Sequence, residues 1–261
     1  MIERPYAFGG TTVIIGLLGA VVLACAGGLW AGGRMRRAGI DRQRRPELAT
    51  IVAAVLGPFG LLLGFSLSVA ISRHDARKIA TVNEANAIGT AFARASLVPA
   101  VTDPVRALLR EYVDLDVAFY LSIGEAQRSQ LVERDLVSIQ DRLWRYGAGA
   151  LSADPRSVAA SDFVQSINGL VDRHAVRIAM IRNYLPPILL LLLAAFAVVG
   201  SALTGYAAGL TAHGDRFTPF LASLMSAAVL LVVVDIDRPL YGFITVGQES
   251  MQDLRDYMQT H

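Results

Sequence analysis

Four long apolar stretches constrain this chain more than any other feature of its sequence. They lie at roughly 12–32, 50–71, 185–205 and 218–234. A helix needs about twenty apolar residues to cross the hydrocarbon core of a bilayer, so each stretch is long enough to span a membrane. The mean hydropathy of +0.46 agrees with membrane residence. The sequence therefore predicts an all-α membrane protein with four transmembrane helices.

The region between the second and third stretches has a different pattern. Its apolar residues return every three or four positions, as in DPVRALLREYVDLDVAFYL, which is typical of amphipathic helices. We expect a bundle of about four helices here, some of them continuous with the transmembrane helices, and Gly147 and Gly149 are expected to end one helix. The predicted organisation is transmembrane helices 1 and 2 at 1–71, an extramembrane bundle at 72–183, transmembrane helices 3 and 4 at 184–236, and a C-terminal tail at 237–261.

The second apolar stretch is unusually rich in residues that weaken helices. It contains Gly57, Pro58, Gly60 and Gly64. Glycine and serine let transmembrane helices approach closely, whereas Pro58 is expected to bend or interrupt the helix. A helix of this composition is predicted to face protein or a lumen rather than to act as a simple anchor.

Several functional classes receive no support from the sequence. The 24 basic and 22 acidic residues nearly cancel, so nucleic acid is not an expected partner. Cys25 is the only cysteine, and the four histidines have no ligand spacing among them, so neither a metal site nor a cofactor is predicted. The chain also has no glycine-rich phosphate loop, nucleophile elbow or HExxH pattern, so no catalytic residue and no enzyme activity are predicted.

Polar residues that follow the second apolar stretch form the first candidate site. Glu84 and Asn86 are expected near the membrane border, where Arg77 and Arg94 could pair with the acid, and Arg73 precedes them. Two interpretations remain open. The residues are either structural ion pairs at a helix junction or an ion-attracting pore mouth formed by a symmetric oligomer.

The second candidate site is DIDRPLYGF, where the fourth stretch ends. Asp235 and Asp237 lie at the membrane boundary and Arg238 follows them. Acids at such a boundary require partners, so a helix-ending ion pair is one interpretation. The other is a latch that packs beneath the second helix and responds to its conformation.

Membrane orientation is not fixed by charge. The loop GGRMRRAGIDRQRRPEL holds six arginines and is predicted to be cytoplasmic by the positive-inside rule. Basic residues that flank the predicted bundle argue for the opposite orientation.

Three segments resemble a known family. LLLGFSLSVAISRHDAR, EANAIGTAFAR and DIDRPLYGF, together with the four-helix layout, are similar to the bestrophin-like bacterial membrane family of otherwise unknown function. In addition, Leu63-Gly64-Phe65 followed eight residues later by Arg73 is similar to the pore-lining second helix of bestrophin anion channels.

This resemblance implies a multi-pass protein of the cell inner membrane that forms a symmetric homo-oligomer, pentameric in bestrophins. The second helices would surround a central pore whose apolar neck residues recur every four positions, which gives Phe65, Leu61 and Gly57 here. The expected function is an anion channel that conducts inorganic anions, chloride in particular. The alternative is a non-conducting membrane sensor or scaffold whose bundle binds a ligand or partner protein. Calcium-activated bestrophins have a run of acids after their last transmembrane helix. Here Asp235 and Asp237 are interrupted and are followed by Arg238 and Pro239, so the resemblance does not imply a calcium site.

Overall fold

Helices are the only regular secondary structure in the part of the chain that the computed structural model describes, which is residues 10–39, 45–122, 126–211, 216–238 and 244–261. The helices in these ranges are α1 (Gly10–Arg37), α2 (Arg45–Ala95), α3 (Thr102–Ser122), α4 (Ala126–Ala153), α5 (Val158–Ile181), α6 (Pro187–Gly209), α7 (Phe217–Asp237) and α8 (Glu249–Thr260). The chain divides into two compact units. The membrane unit lies within Glu3–Ser72 and Tyr184–Ile244, and the bundle unit within Arg73–Asn183 and Thr245–His261.

The membrane unit contains α1, the first part of α2, α6 and α7. These four helices are long and apolar enough to cross a membrane, which confirms the predicted all-α membrane fold. Side chains from all four helices form its core, among them Val21, Phe59, Leu63, Leu193, Leu230 and Val233.

Glycines allow α1 and α6 to approach closely. A Cβ atom on Gly28 would overlap the carbonyl oxygen of Ala202, and one on Gly205 would overlap the carbonyl oxygen of Cys25. Such contact between small residues is a common way for transmembrane helices to associate. The glycines of α2 differ, because a Cβ on Gly57 would meet nothing within 4 Å.

α2 is one helix of 51 residues that passes through Pro58 without interruption. Of the two expectations for Pro58, the interruption of the helix was therefore wrong, whereas the bend stays a prediction. Proline removes one backbone hydrogen bond, but transmembrane helices tolerate this loss when neighbouring groups satisfy the freed carbonyl. The helix carries residues of both units.

The bundle unit is built from the second part of α2 with α3, α4, α5 and α8. Its core includes Ile88, Phe92, Leu109, Leu136, Leu143, Phe163, Ile167, Met251 and Met258. α5 begins at Ser157, whose side-chain oxygen accepts the backbone N–H of Ala160 at 3.2 Å.

Gly147 and Gly149 do not end α4, contrary to the prediction, because the helix continues to Ala153. A Cβ on Gly147 would lie 3.0 Å from the Ile167 side chain and 3.1 Å from that of Val164. Gly147 therefore serves the close packing of α4 on α5 rather than helix termination.

Candidate functional site

Four charged or titratable side chains form a buried cluster inside the bundle unit. Glu84 Oε1 of α2 lies 2.8 Å from His174 Nδ1, and Arg177 Nη1 donates to Glu84 Oε2 at 3.0 Å. The same nitrogen of Arg177 donates to Oδ2 of Asp116 at 2.5 Å. None of the four residues is more than 7% exposed. We call Glu84, Asp116, His174 and Arg177 the charge cluster; it joins α2, α3 and α5.

Neutral polar residues extend the charge cluster to further elements. The Tyr112 hydroxyl donates to Glu84 Oε1 at 3.3 Å and accepts from Nε2 of Gln140 on α4 at 3.1 Å. Arg177 Nη2 donates to Oε1 of Gln248, the residue before α8, at 2.9 Å. Every element of the bundle unit is therefore connected to this network or directly adjacent to it.

The environment shifts the pKa values of the two acids, Glu84 and Asp116, in opposite directions. Burial raises the pKa of Asp116 to about 6, and the Glu84 carboxylate adds to the rise. Burial also acts to raise the pKa of Glu84, but the hydrogen bond with His174 and the charge of Arg177 outweigh it and lower this pKa overall. Burial and the two carboxylates raise the pKa of Tyr112 well above its usual value, so this hydroxyl stays protonated and can donate.

Glu84, Asp116 and His174 present donor atoms within 4.8 Å of one another, a spacing compatible with a metal ion. However, Arg177 Nη1 already donates to both carboxylates. Because Arg177 is 1% exposed, its guanidinium cannot turn into solvent to make room for a second cation. The donor set therefore fits an ion-pair network better than a metal centre, and we assign no metal to it.

The sequence signal for this cluster is a charged residue on an otherwise apolar helical stripe. On α3 the buried positions recur every three or four residues, at Val105, Leu109, Tyr112, Asp116 and Phe119. On α5 the buried positions with this spacing include Phe163, Ile167, Leu170, His174, Arg177 and Ile181. This spacing indicates that Asp116, His174 and Arg177 face the core. Sequence analysis singled out Glu84 alone and missed these three partners.

The arginines expected near Glu84 make other contacts. Arg77 is buried, and its Nε and Nη2 donate to the backbone carbonyls of Met180 at 3.2 Å and Asn183 at 2.7 Å. Arg94 Nη1 donates to the carbonyl of Asp162 at 2.9 Å. Both arginines therefore tie α2 to α5 through main-chain oxygens.

The other candidates of this segment lie apart from the charge cluster. Arg73 is half-buried and Asn86 is exposed on α2. Residues 239–243 of the DIDRPLYGF motif and His213 lie outside the described residues.

The acids at the end of α7 bind backbone N–H groups of the membrane unit. Asp237 is buried, and both of its carboxylate oxygens accept the N–H of Leu185, at 2.9 and 3.0 Å. Asp235 Oδ2 accepts the N–H of Ile244 at 2.9 Å, and the backbone N–H of Arg238 donates to the Asp235 carbonyl at 3.1 Å. The motif thus secures the chain before α6 and after α7.

One face of α2 in the membrane unit is exposed, and it carries the proposed neck residues. Leu61 and Phe65 are each 63% exposed, and Gly57 is exposed on the same side. The opposite face is buried in the unit, at Phe59, Leu63, Ser66 and Ala70. The two faces therefore have different environments within one subunit.

These features define a class of all-α membrane protein with four spans and a second, helical unit. A family model described as a Bestrophin-like domain matches residues 19–251, which is most of the chain. The chain therefore belongs to the bestrophin-like family, and the resemblance noted in the sequence is confirmed. No curated protein matches it significantly.

Solved structures share its fold. A variant of a bacterial bestrophin homolog from Klebsiella pneumoniae has a TM-score of 0.70 at 13% identity, covering 95% of this chain and 98% of its own. A structure of the same homolog, solved by zinc phasing, has a TM-score of 0.70 at 15% identity, covering 95% and 97%. A crystal structure of a further membrane-protein variant has a TM-score of 0.69 at 14% identity, covering 95% of this chain and 96% of its own. At these identities the likeness establishes the fold alone.

Proposed function

We propose that this chain is the subunit of a homo-oligomeric channel that conducts inorganic anions such as chloride, with α2 of each subunit lining a central pore. Membership of the bestrophin-like family supports the channel, and the family resemblance supports five subunits in a bacterial inner membrane. The observation that carries the proposal is the composition of the exposed face of α2.

That face combines large apolar residues with glycine, whereas the described exposed positions of α6 and α7 include no glycine. The exposed large apolar side chains of α6 and α7 are Ile188, Leu191, Leu192, Val199, Phe217, Leu221, Leu224, Met225, Val229 and Val232. The exposed positions of α2 include small and hydroxyl residues: Gly57, Gly60, Gly64, Ser68 and Ser72. Aliphatic faces suit hydrocarbon, whereas small and polar faces suit protein or water. This contrast favours a central position for α2 and a peripheral one for α6 and α7.

Leu61 and Phe65 are the proposed constriction of the pore. They are one helical turn apart on the exposed face, so copies in a ring would present two adjacent apolar rings to the lumen. Narrow apolar rings gate by excluding water. Gly57, one turn earlier, has no side chain to narrow the lumen, which makes the proposed neck short and wider at one end.

Anion selectivity is proposed to come from the basic residues that follow the span in α2. Arg73 and Arg77 both lie in α2 between the proposed neck and Glu84, and backbone carbonyls of Met180 and Asn183 help to hold the Arg77 guanidinium in place. A fixed positive charge raises the local anion concentration even when it is not in direct contact with the ion.

The proposal is tested by recording currents from purified protein in planar bilayers under a chloride gradient. The variants are Leu61→Ala and Phe65→Ala, and the matched control is Leu191→Ala, which removes an equally exposed leucine from α6. We expect a reversal potential close to that of chloride, and conductance or gating altered by the α2 variants but not by the control.

Two results would overturn the proposal. If folded oligomers stay silent across voltage, pH and calcium, a non-conducting sensor or scaffold replaces the channel. If Leu191→Ala changes the current as much as Leu61→Ala does, α2 is not specifically the pore wall.

A further inference from the structure

The charge cluster contains two carboxylates and one arginine in a buried space. Glu84 and Asp116 share a single nitrogen of Arg177, and their oxygens lie within 4.8 Å of each other. With both acids ionised and His174 neutral, the cluster has a net charge of −1. Uncompensated charge in a protein core is costly, so uptake of one proton there is favourable.

We propose that Asp116 accepts this proton between neutral and mildly acidic pH, and that the neutralised cluster holds α8 more firmly on the bundle unit. The proposal goes beyond the proposed channel and does not depend on conduction. The proton comes from hydronium in the solvent: an O–H bond forms at Oδ1 of Asp116 while one O–H bond of the hydronium breaks, and a water molecule is released.

Geometry favours Asp116 Oδ1 as the acceptor. This oxygen is buried and has no hydrogen-bond partner among the described residues, so a proton added there displaces no existing contact. On Glu84, by contrast, Oε1 contacts His174 and Tyr112, and Oε2 binds Arg177. The upward displacement of the Asp116 pKa agrees with this choice.

Few other groups of the network compete for the proton. The titratable or polar side chains around Asp116 come from α2, α3, α4, α5 and the segment before α8: Glu84, Tyr112, Tyr120, Gln140, His174, Arg177 and Gln248. The two tyrosines have raised pKa values and stay neutral, and the glutamines do not titrate. Of the titratable side chains of this network in the described part of the chain, His174 remains, and the experiment below distinguishes its protonation from that of Asp116.

α8 is attached through residues that touch this network. Arg177 Nη2 donates to Gln248, and the Tyr120 hydroxyl donates to the carbonyl of Val246 at 2.6 Å. α8 then inserts Met251 into the core. Excess negative charge next to Arg177 makes the packed state less favourable, so loss of the proton loosens the attachment of α8.

The site of protonation is tested by infrared spectroscopy of the full-length protein during a pH titration. A buried protonated carboxylic acid gives a carbonyl stretch that is separate from amide and carboxylate bands. We expect this band to appear on acidification in the wild type and to be absent from Asp116→Asn. The matched control is Asp114→Asn, which removes an exposed acid of the same helix that pairs with Arg255, and it should keep the band.

Hydrogen exchange tests the consequence for α8. After correction for the intrinsic pH dependence of exchange, amides of α8 should be several-fold better protected at mildly acidic than at neutral pH in the wild type, and equally protected at both in Asp116→Asn. Two results overturn the assignment to Asp116. One is a carbonyl band that persists in Asp116→Asn. The other is a wild-type protein that shows protonation of an imidazole on acidification but no carbonyl band. Equal protection of α8 at both pH values in the wild type overturns the coupling.

Discussion

Arg177 and Glu84 form an ion pair of 3.0 Å although 93 positions separate them in the chain. Neither side chain reaches solvent, so each depends on the other for compensation of its charge. Such pairs are strongly destabilising when one member is removed, because the remaining charge stays buried.

Replacing Arg177 by alanine is therefore expected to destabilise the protein by about 3–5 kcal/mol. The loss would leave Glu84 and Asp116 close together without their shared cation. The comparison is Arg182→Ala, which breaks the half-exposed pair with Glu133 and should cost about 1 kcal/mol or less. Thermal unfolding of both variants in detergent checks this, and similar melting temperatures would contradict it.

Stability is expected to fall as the pH rises from about 5 to 7, because of Asp116. Folding raises its pKa from 3.8 to about 6, so its contribution to stability is complete below the lower value and lost as the pH rises through the higher one. Glu84 acts in the opposite sense, since its lowered pKa contributes stability that is lost only as the pH falls below about 4.5.

The measurement is the melting temperature of the wild type and of Asp116→Asn across this pH range. We expect the wild type to lose a few degrees relative to Asp116→Asn between pH 5 and 7. A parallel pH dependence of the two proteins would show that another group titrates in this window.

Gly205→Ala is expected to force α1 and α6 apart and to cost at least about 1–3 kcal/mol, because the new Cβ would overlap the backbone of Cys25. Gly19→Ala on α1 is the control, since a Cβ there meets nothing within 4 Å. The fraction of folded protein after thermal challenge distinguishes them, and equal stability of the two variants would contradict the close contact.

Replacement of two glycines of α4 by alanine should change the stability of the protein differently. Gly149→Ala has free space for the new methyl group and is expected to gain about 0.5–1 kcal/mol from its higher helix propensity. Gly147→Ala meets Ile167 and Val164 at 3.0 and 3.1 Å and should show no such gain. Melting temperatures that rise equally in both variants would argue against tight α4–α5 packing.

The spans and the helical bundle could be predicted because they depend on local patterns. A run of apolar residues as long as a bilayer is thick has few alternatives to a transmembrane helix, and α1, α2, α6 and α7 each contain one of the four predicted stretches. The interruption considered at Pro58 and the helix end predicted at Gly147 were both wrong, because the helix continues at each residue. At Gly147 a contact with α5, which no local pattern contains, accounts for the glycine.

The candidate site shows the same division. The sequence by itself determined that Glu84 would be an acid needing a partner and that Leu61 and Phe65 would share a helix face, since both follow from residue type and helical period. Only the tertiary structure decided that the partners are His174 and Arg177, because a pairing across 90 or more positions depends on how helices pack rather than on spacing. It also decided that Asp116 shares the same arginine, and so placed two carboxylates beside one guanidinium in the core.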